Sequence, residues 1–402
     1  MTKRFHKVPN LRFPGFEGEW KEGNIGKLAE ISSGGTPSRT TSTYWNGEIP
    51  WVTTSLINFN IVSEAEEYIT EQGLKESSAK LFPKNTILMA MYGQGKTRGK
   101  VAILGMEAAT NQACAAIIPN PSLISYSFLF QNLSKRYDEI RELSNQGGQQ
   151  NLSGGIIKGI KILYPSFNEQ IKIAELLLKI DSRIDTQNKI IEALKVQMLG
   201  LQEKLFRQKI KMKDENGNQF PQWEKRNGGE LFSSISNKNH NSDLPILAIT
   251  QDQGAVPRDS IDYQISVTDK SVESYKVVEI GDFIISLRSF QGGIEYSNYH
   301  GICSPAYIIL KSKYEMNKLF YKYYFKTANY ITLLNKKLEG IRDGKMISYT
   351  YFSEIELPYP TIEEQVKIAT TLFSFEQKIE VEKQILKCYE NQKQYLLQNL
   401  FI

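Results

Sequence analysis

The sequence predicts an α+β chain in which a mixed α/β globular unit and a long helix alternate twice, giving a pseudo-two-fold internal repeat. Three observations predict it. From Asn168 to Phe206, the positions Ile173, Leu177, Ile180, Ile184, Gln187, Ile191, Leu194, Met198, Leu201 and Leu205 follow a 4-3 spacing and are apolar except for Gln187. That is the seam of a coiled coil, narrower than the face of an ordinary surface helix. The opening of this rod, Tyr164-Pro165-Ser166-Phe167-Asn168-Glu169-Gln170-Ile171-Lys172-Ile173-Ala174, returns without a gap, at an offset of 195, as Tyr359-Pro360-Thr361-Ile362-Glu363-Glu364-Gln365-Val366-Lys367-Ile368-Ala369. The globular parts also open alike: Trp20, Leu28 and Ile31-Ser32 are echoed by Trp223, Leu231 and Ile235-Ser236.

These signals divide the chain into a first globular unit (1–162), a first rod (163–212), a second globular unit (213–357) and a second rod (358–402). In the first unit a Gly/Ser/Thr loop, Ser33 to Arg39, precedes a strand at Ile49–Thr53. Two strands, Thr86–Ala90 and Lys100–Leu104, flank the glycine-rich basic loop Tyr92 to Gly99, and a third strand spans Ala113–Ile118. Tyr126–Leu143 has helical spacing, and the loop Asn145 to Gln150 leads to a strand and the rod. At 1.5 Å per residue the rod is about 60 Å long. Pro165 stands where a helix can begin but not continue.

The second unit keeps this order with different loops. Asp282–Leu287 and Tyr307–Leu310 read as strands and Asn317–Lys337 as a helix. Arg288 to Gly293 and Glu339 to Lys345 occupy the places of the two glycine-rich loops, and Ser348 falls on Ser153. The second rod carries the seam Ile368, Leu372, Phe375, Ile379, Glu382, Leu386, Tyr389, Lys393, Leu396 and Leu400, with Glu382 at the place of Gln187. A polar seam residue usually fixes register. Two helices of matching length, each with an uncovered stripe, most simply pack on each other.

Composition sets bounds. A hydrophobic content of 41% and an aromatic content of 11% describe a folded chain, and no apolar run or leader-like N-terminus suggests a membrane or secreted protein. Cys114, Cys303 and Cys388 are far apart, which argues against a disulfide framework or zinc site and fits the cytoplasm. His6, His240 and His300 leave little for metal or nucleophile chemistry; His240 and His300 read as structural or surface residues. A net charge of +5 permits polyanion binding without demonstrating it.

The string ending Gly95-Lys96-Thr97 imitates a nucleotide-binding P-loop. That mechanism needs a helix to start at the loop, whereas the residues after Thr97 lead into a strand. A hairpin loop whose Gln94, Lys96, Arg98 and Lys100 grip a phosphate backbone or enter a groove accounts for the sequence better; a solvated hairpin tip is the plain alternative. Arg288, Ser289 and Gln291 hold the matching place in the second unit, as Arg342 and Lys345 match Gln149 and Gln150. Arg can pair with guanine and Gln with adenine in the major groove. Thr36, Ser38 and Arg39, with Arg258 in the second unit, suit phosphate contacts. The aromatic run Phe320 to Lys326 could stack on bases, but its helical spacing favours core packing with snorkelling lysines. No methyltransferase motif, nuclease carboxylate cluster or Rossmann fingerprint occurs, so binding is favoured over catalysis. A nucleotide-dependent enzyme using Lys96 and Thr97, or a coiled-coil adaptor with no nucleic-acid role, are the competing readings.

Ser33-Gly34-Gly35-Thr36-Pro37-Ser38, the run Tyr44-Trp45-Asn46-Gly47-Glu48-Ile49-Pro50-Trp51-Val52 and the two Pro-to-Ala rod openings resemble the specificity subunit of type I restriction-modification enzymes over nearly the whole chain. The second unit lacks the first two strings. The resemblance implies two target recognition domains, each reading half of a split asymmetric DNA site, and two rods packed antiparallel that set the unread spacer. It implies no catalytic group and no cofactor or metal on this chain. Two modification subunits would bring S-adenosylmethionine and methylate adenine N6. Two restriction subunits would add ATP- and Mg2+-dependent translocation and cleavage.

Overall fold

The computed structural model describes residues 7–93, 96–145, 151–241, 243–261, 272–336 and 347–402. The chain divides into two units, one of Met1–Asn188 with Gln384–Ile402, the other of Lys189–Lys383. Gln94, Gln149, Gln150, Arg342 and Lys345 lie outside the described residues.

The first unit is built on a five-stranded sheet in the order Ala29–Ser33, Cys114–Pro119, Ile87–Ala90, Val101–Leu104, Ile61–Val62. All neighbours are antiparallel except the last pair. The central strands are apolar on both faces because both are covered. Ile87, Met89, Val101, Ile103, Ala115 and Ile117 share a core with the helix Tyr126–Lys135 and the start of the first rod. The alternate residues Leu88, Ala90, Ala102, Leu104, Cys114 and Ala116 face a second core with Val52 and Phe82. This split follows from the two-residue period of a strand. A four-stranded sheet, Glu67–Ile69, Trp45–Val52, Ala108–Thr110, Leu81–Phe82, completes the unit, with a two-stranded pair, Lys21–Asn24 and Lys161–Tyr164.

The second unit repeats the plan in smaller form. Its four-stranded antiparallel sheet runs Phe232–Ile235, Ile308–Ser312, Phe283–Ile285, Glu295–Tyr296. Phe283, Ile285 and Leu310 face the helices, whereas Ile284 and Ile309 face the opposite core. Glu224–Asn227 pairs with Glu356–Tyr359, as Lys21–Asn24 does with Lys161–Tyr164.

Both rods form as single helices, Phe167–Phe206 and Ile362–Leu400. In the first unit Ile173, Leu177 and Ile180 share a core with Leu396, Leu400 and Phe401. Asp181 pairs with Lys393 at 2.5 Å and Arg183 lies over Tyr389, so numbering rises on one helix as it falls on the other, and the segments run antiparallel. The lysine in the second seam is thereby explained. In the second unit Leu205 joins Ile368, Ala369 and Leu372. Of the remaining seam residues, Ile191, Leu194 and Ile379 are buried, and Ile184, Leu201, Phe375 and Leu386 are half-buried.

The Glu-Gln pair of each rod opening is buried and ties the rod to its unit. Gln170 Oε1 accepts from the backbone N of Ser125, the N-cap of the following helix, while its Nε2 donates to the Pro165 carbonyl at 3.0 Å. Gln365 repeats this with Asn317, another N-cap, and Pro360. Glu169 accepts both arms of Arg12, and Glu364 accepts from the Trp223 indole at 2.8 Å. Ser153 and Ser348 cap equivalent short helices.

Three expectations need correction. The helices expected over Tyr126–Leu143 and Asn317–Lys337 are each broken in two. The first is split into Tyr126–Lys135 and Tyr137–Glu142 around Arg136, whose side chain is pinned to Glu139 and the Lys161 carbonyl. The second is split into Lys318–Tyr324 and Ala328–Lys336, because Thr327 Oγ1 accepts from Tyr330 N and starts a new helix. The loop expected at Arg288 to Gly293 contains a helical turn, Ser289–Gly292.

Candidate nucleic-acid interface

The Gly/Ser/Thr loop of the first unit is clamped by two indoles. Trp51 Nε1 donates to the Gly35 carbonyl and Trp45 Nε1 to the Ser38 carbonyl, both at 3.0 Å. A Cβ at Gly34 would fall 2.0 Å from the Thr110 carbonyl oxygen, so a side chain there would break the fit. The Arg39 guanidinium lies 3.8 Å from the Trp45 ring centroid and forms a two-armed pair with Glu67, which holds the Glu67 carboxyl below its ordinary value. Arg39 is therefore a brace for the loop, with its fork already filled. Thr36 donates to Gln112 Oε1, and Ser38 bonds Thr40; Ser38 remains exposed. The two strings Gly-Gly-Thr-Pro-Ser-Arg and Trp-Asn-Gly-Glu-Ile-Pro-Trp are thus two halves of one clamp.

In the glycine-rich loop, Gly99 N bonds the Ala90 carbonyl, and Lys100 leads directly into the strand Val101–Leu104. Among the described residues of this loop no helix begins, so the phosphate-binding feature of a P-loop is not formed by them. Lys96 is exposed; Arg98 and Lys100 are half-buried, and Lys100 Nζ reaches Asn58 Oδ1 at 2.7 Å. The Tyr137 hydroxyl donates to the Lys96 carbonyl at 2.6 Å.

Leu152 N bonds the Met91 carbonyl at 3.0 Å, which brings the exit of the second loop beside the entrance of the first. Between them lies an open cleft of about 700 Å³, lined by Ser33, Lys80, Tyr92, Asn151, Ser153 and Lys158 among others. Sequence reasoning missed Lys80 and Lys158. Lys80 stands in no glycine-rich string, and Lys158 lies in Ser153-Gly154-Gly155-Ile156-Ile157-Lys158-Gly159, just past the loop ending at Gln150; the fold carries both to one cleft.

In the second unit Arg288 and Gln291 are exposed on the helical turn. Ser289 is not available to a ligand, which corrects its expected contact: it is buried, and its Oγ accepts from Ser286 N at 2.8 Å to close the turn. The Gln251 amide donates to the Arg288 carbonyl and Asn335 Nδ2 to the Phe290 carbonyl. Gly293, at φ +81°, would place a Cβ 2.0 Å from the Phe325 carbonyl oxygen. Arg258 is half-buried at the start of a short 3-10 turn.

Other candidates resolve as structure. Phe320, Tyr321, Tyr323, Tyr324 and Phe325 are buried in the core, with Lys322 reaching out to Glu376. His240 Nε2 contacts the Tyr275 carbonyl. Burial pushes the Cys114 and Cys303 thiols up to about 12, far from a reactive thiolate. Among the described residues no cluster of three His, Cys, Asp or Glu could hold a metal, and no helix is long and apolar enough to cross a membrane.

A sequence profile described as Type I restriction modification DNA specificity domain matches this chain twice, over residues 17–196 and 222–390. The chain belongs to this family. The two specificity-domain matches fall on the two copies of the repeat. The MjaIX specificity subunit of Methanocaldococcus jannaschii is 29% identical over 294 residues, 65% of this chain and 67% of the relative. The EcoR124I/EcoR124II specificity subunit of Escherichia coli is 32% identical over 195 residues, 47% of this chain and 46% of the relative. The MjaVIII specificity subunit of M. jannaschii is 23% identical and aligns with 98% of this chain and 94% of the relative. The matched stretch thus spans from about half of the E. coli relative to nearly all of the MjaVIII one. The crystal structure of the type I S subunit from M. genitalium superposes with a TM-score of 0.61 at 18% identity, covering 98% of this chain and 99% of that one. A chain from a structure of the type I restriction-modification system gives 0.56 at 16%, covering 97% and 99%. These share the fold. Specificity-domain membership does not support the nucleotide-dependent enzyme or the adaptor without a nucleic-acid role.

Proposed function

We propose that this chain is the sequence-reading subunit of a type I restriction-modification complex. Each unit reads one half of a split, asymmetric DNA site through its loop residues: exposed Ser38 and Lys96 with half-buried Arg98 and Lys100 in the first, exposed Arg288 and Gln291 with half-buried Arg258 in the second. The chain itself contributes no catalytic group. Two modification subunits carry S-adenosylmethionine and methylate adenine N6, and two restriction subunits carry ATP and Mg2+ for translocation and cleavage, all in the cytoplasm.

The observation that carries this reading is the double specificity-domain match laid over a repeat whose scaffold is kept and whose loops differ. Groove contacts give base discrimination, about 1–3 kcal/mol for each good bidentate pair. Two short half-sites combine their specificities when the connection between readers is stiff, and an unbroken helix of 40 residues is stiff where a Gly/Ser linker is not. The repeated rod roots, with buried Gln170 and Gln365 in identical roles, show that the scaffold is built alike in both units, which suits two identical partners.

A domain exchange tests the reading. Residues 1–162 are replaced by the corresponding part of another family member, the chain is expressed with its modification subunit, and the host methylome is sequenced. One half of the methylated site should change and the other persist. A change in both halves, or in neither, overturns the proposal.

A further inference from the structure

We infer that the helix break in each unit exists to anchor the neighbouring reading loop, with Tyr137 and Lys326 as the positioning residues that hold each loop in register for base discrimination. The inference rests on the proposed reading of DNA by these loops.

The two breaks fall at corresponding points. Each follows the helix whose N-cap is bonded by the rod-root glutamine, Ser125 in one unit and Asn317 in the other. In the first unit the break puts Tyr137 at the start of a new helix, beneath the glycine-rich loop. Its hydroxyl donates to the Lys96 carbonyl at 2.6 Å and its ring meets Phe59 edge-on at 5.3 Å. Gly99, in the left-handed region at φ +87°, lies against the same ring. A continuous helix through Arg136 would turn this side chain to a different bearing.

In the second unit the break delivers Lys326. Its ammonium donates to the Gln251 carbonyl at 3.1 Å, the Gly292 carbonyl at 2.9 Å and Glu295 Oε1 at 2.6 Å. One cation thus joins the turn after Leu247–Thr250, the end of the Ser289–Gly292 turn and the strand Glu295–Tyr296. Glu295 is buried, and Lys326 is largely covered. A buried ion pair with both extra lysine protons spent on loop carbonyls is costly to assemble and adds little net stability, so a positional role accounts for it better than a purely energetic one. The chemistry differs between units, a phenol in one and an ammonium in the other, while the place and the target are the same. Each anchor reaches a backbone carbonyl of its loop, Lys96 in one unit and Gly292 in the other, and the side chains of Lys96, Arg288 and Gln291 remain exposed.

The test is methylome sequencing of a host expressing the full chain with its modification subunit. Tyr137→Phe deletes one oxygen and keeps the ring. It should cut discrimination against single-base variants of the first unit's half-site by about threefold to tenfold, the worth of one hydrogen bond, and leave the other half unchanged. Lys326→Met would strand the buried Glu295, so the double variant Lys326→Met, Glu295→Gln is used beside it. It should relax the second unit's half-site alone, and Lys326→Arg should restore it. Arg288→Ala is the loop control. If Arg288→Ala alters the second half-site while the anchor variants leave both halves as they were, the anchoring inference is wrong and the reading stands. If Arg288→Ala also changes nothing, loop reading in that unit fails with it. Equal relaxation of both halves by either anchor variant shows general destabilisation and likewise overturns the anchoring role.

Discussion

Phe401→Ala should destabilise the first unit through a core the ring helps to close. Phe401 is 2% exposed, lies 5.1 Å from the Phe128 ring and 6.3 Å from Trp20, and shares their cluster with Leu396 and Leu400. Truncating a fully buried phenylalanine costs about 3–5 kcal/mol, the lost transfer energy plus the cavity left behind. The two aromatic neighbours contribute about 0.5–1.5 kcal/mol each within that range. Phe206, at the corresponding end of the first rod, packs on Trp223 and Phe320 but is half-buried. Phe206→Ala should therefore cost less, about 2 kcal/mol. Urea unfolding of the purified chain, followed by hydrogen exchange in peptides from the helix Tyr126–Lys135, separates the two. Loss of less than about 1 kcal/mol for Phe401→Ala, or a larger loss for Phe206→Ala, would refute the reasoning.

Arg39→Lys keeps the charge but loses the fork on Glu67 and the stack on Trp45, and should cost about 1 kcal/mol, held down by the half-exposed setting; unchanged melting with unchanged exchange across residues 35–41 would count against the clamp. Burial pushes the Glu295 carboxyl up to about 7, against the pull of Lys326. A folded-state value above the unfolded one means stability is fullest below the unfolded value near 4.5 and fades as pH rises through about 7. The urea midpoint of the second unit should therefore fall between about pH 4.5 and pH 7, and Glu295→Gln should flatten that slope; an opposite slope disproves the assignment. Adding one helical turn to both rods should lengthen the unread spacer of the methylated site by about one to two base pairs, from a 5.4 Å pitch against 3.4 Å per base step. An unaltered spacer in the methylome would remove the rods from that role.

The rods were legible because a seven-residue apolar repeat over 40 residues has few other structural solutions; the helix Phe167–Phe206 lies within the expected rod of 163–212. The duplication was legible because Gln170 and Gln365 each serve a buried backbone group, which fixes the residue type and keeps the two openings alike. The helix breaks were not legible. Arg136 and Thr327 fit a helical spacing, and what interrupts them is an arginine bonded to a distant carbonyl and a threonine that caps a new start. Loop residues were the least legible part: an arginine in a glycine-rich string looks free, and Arg39 shows that it can be spent on its own fold. Ser289 likewise sits in the right string but points inward. The cleft lysines Lys80 and Lys158 come from separate stretches that tertiary folding brings together.

The first unit draws on residues 1–188 and again on 384–402, whereas the second is one uninterrupted run, 189–383. During synthesis the second can therefore close as soon as it has emerged. The first must wait for the 195 residues of the second, roughly 10 to 40 s at ribosomal speed, with the faces of Trp20 and Phe128 that Phe401 will cover still bare. The half that is made first is the half that is finished last, and for that interval it is the part of the nascent protein most in need of a chaperone.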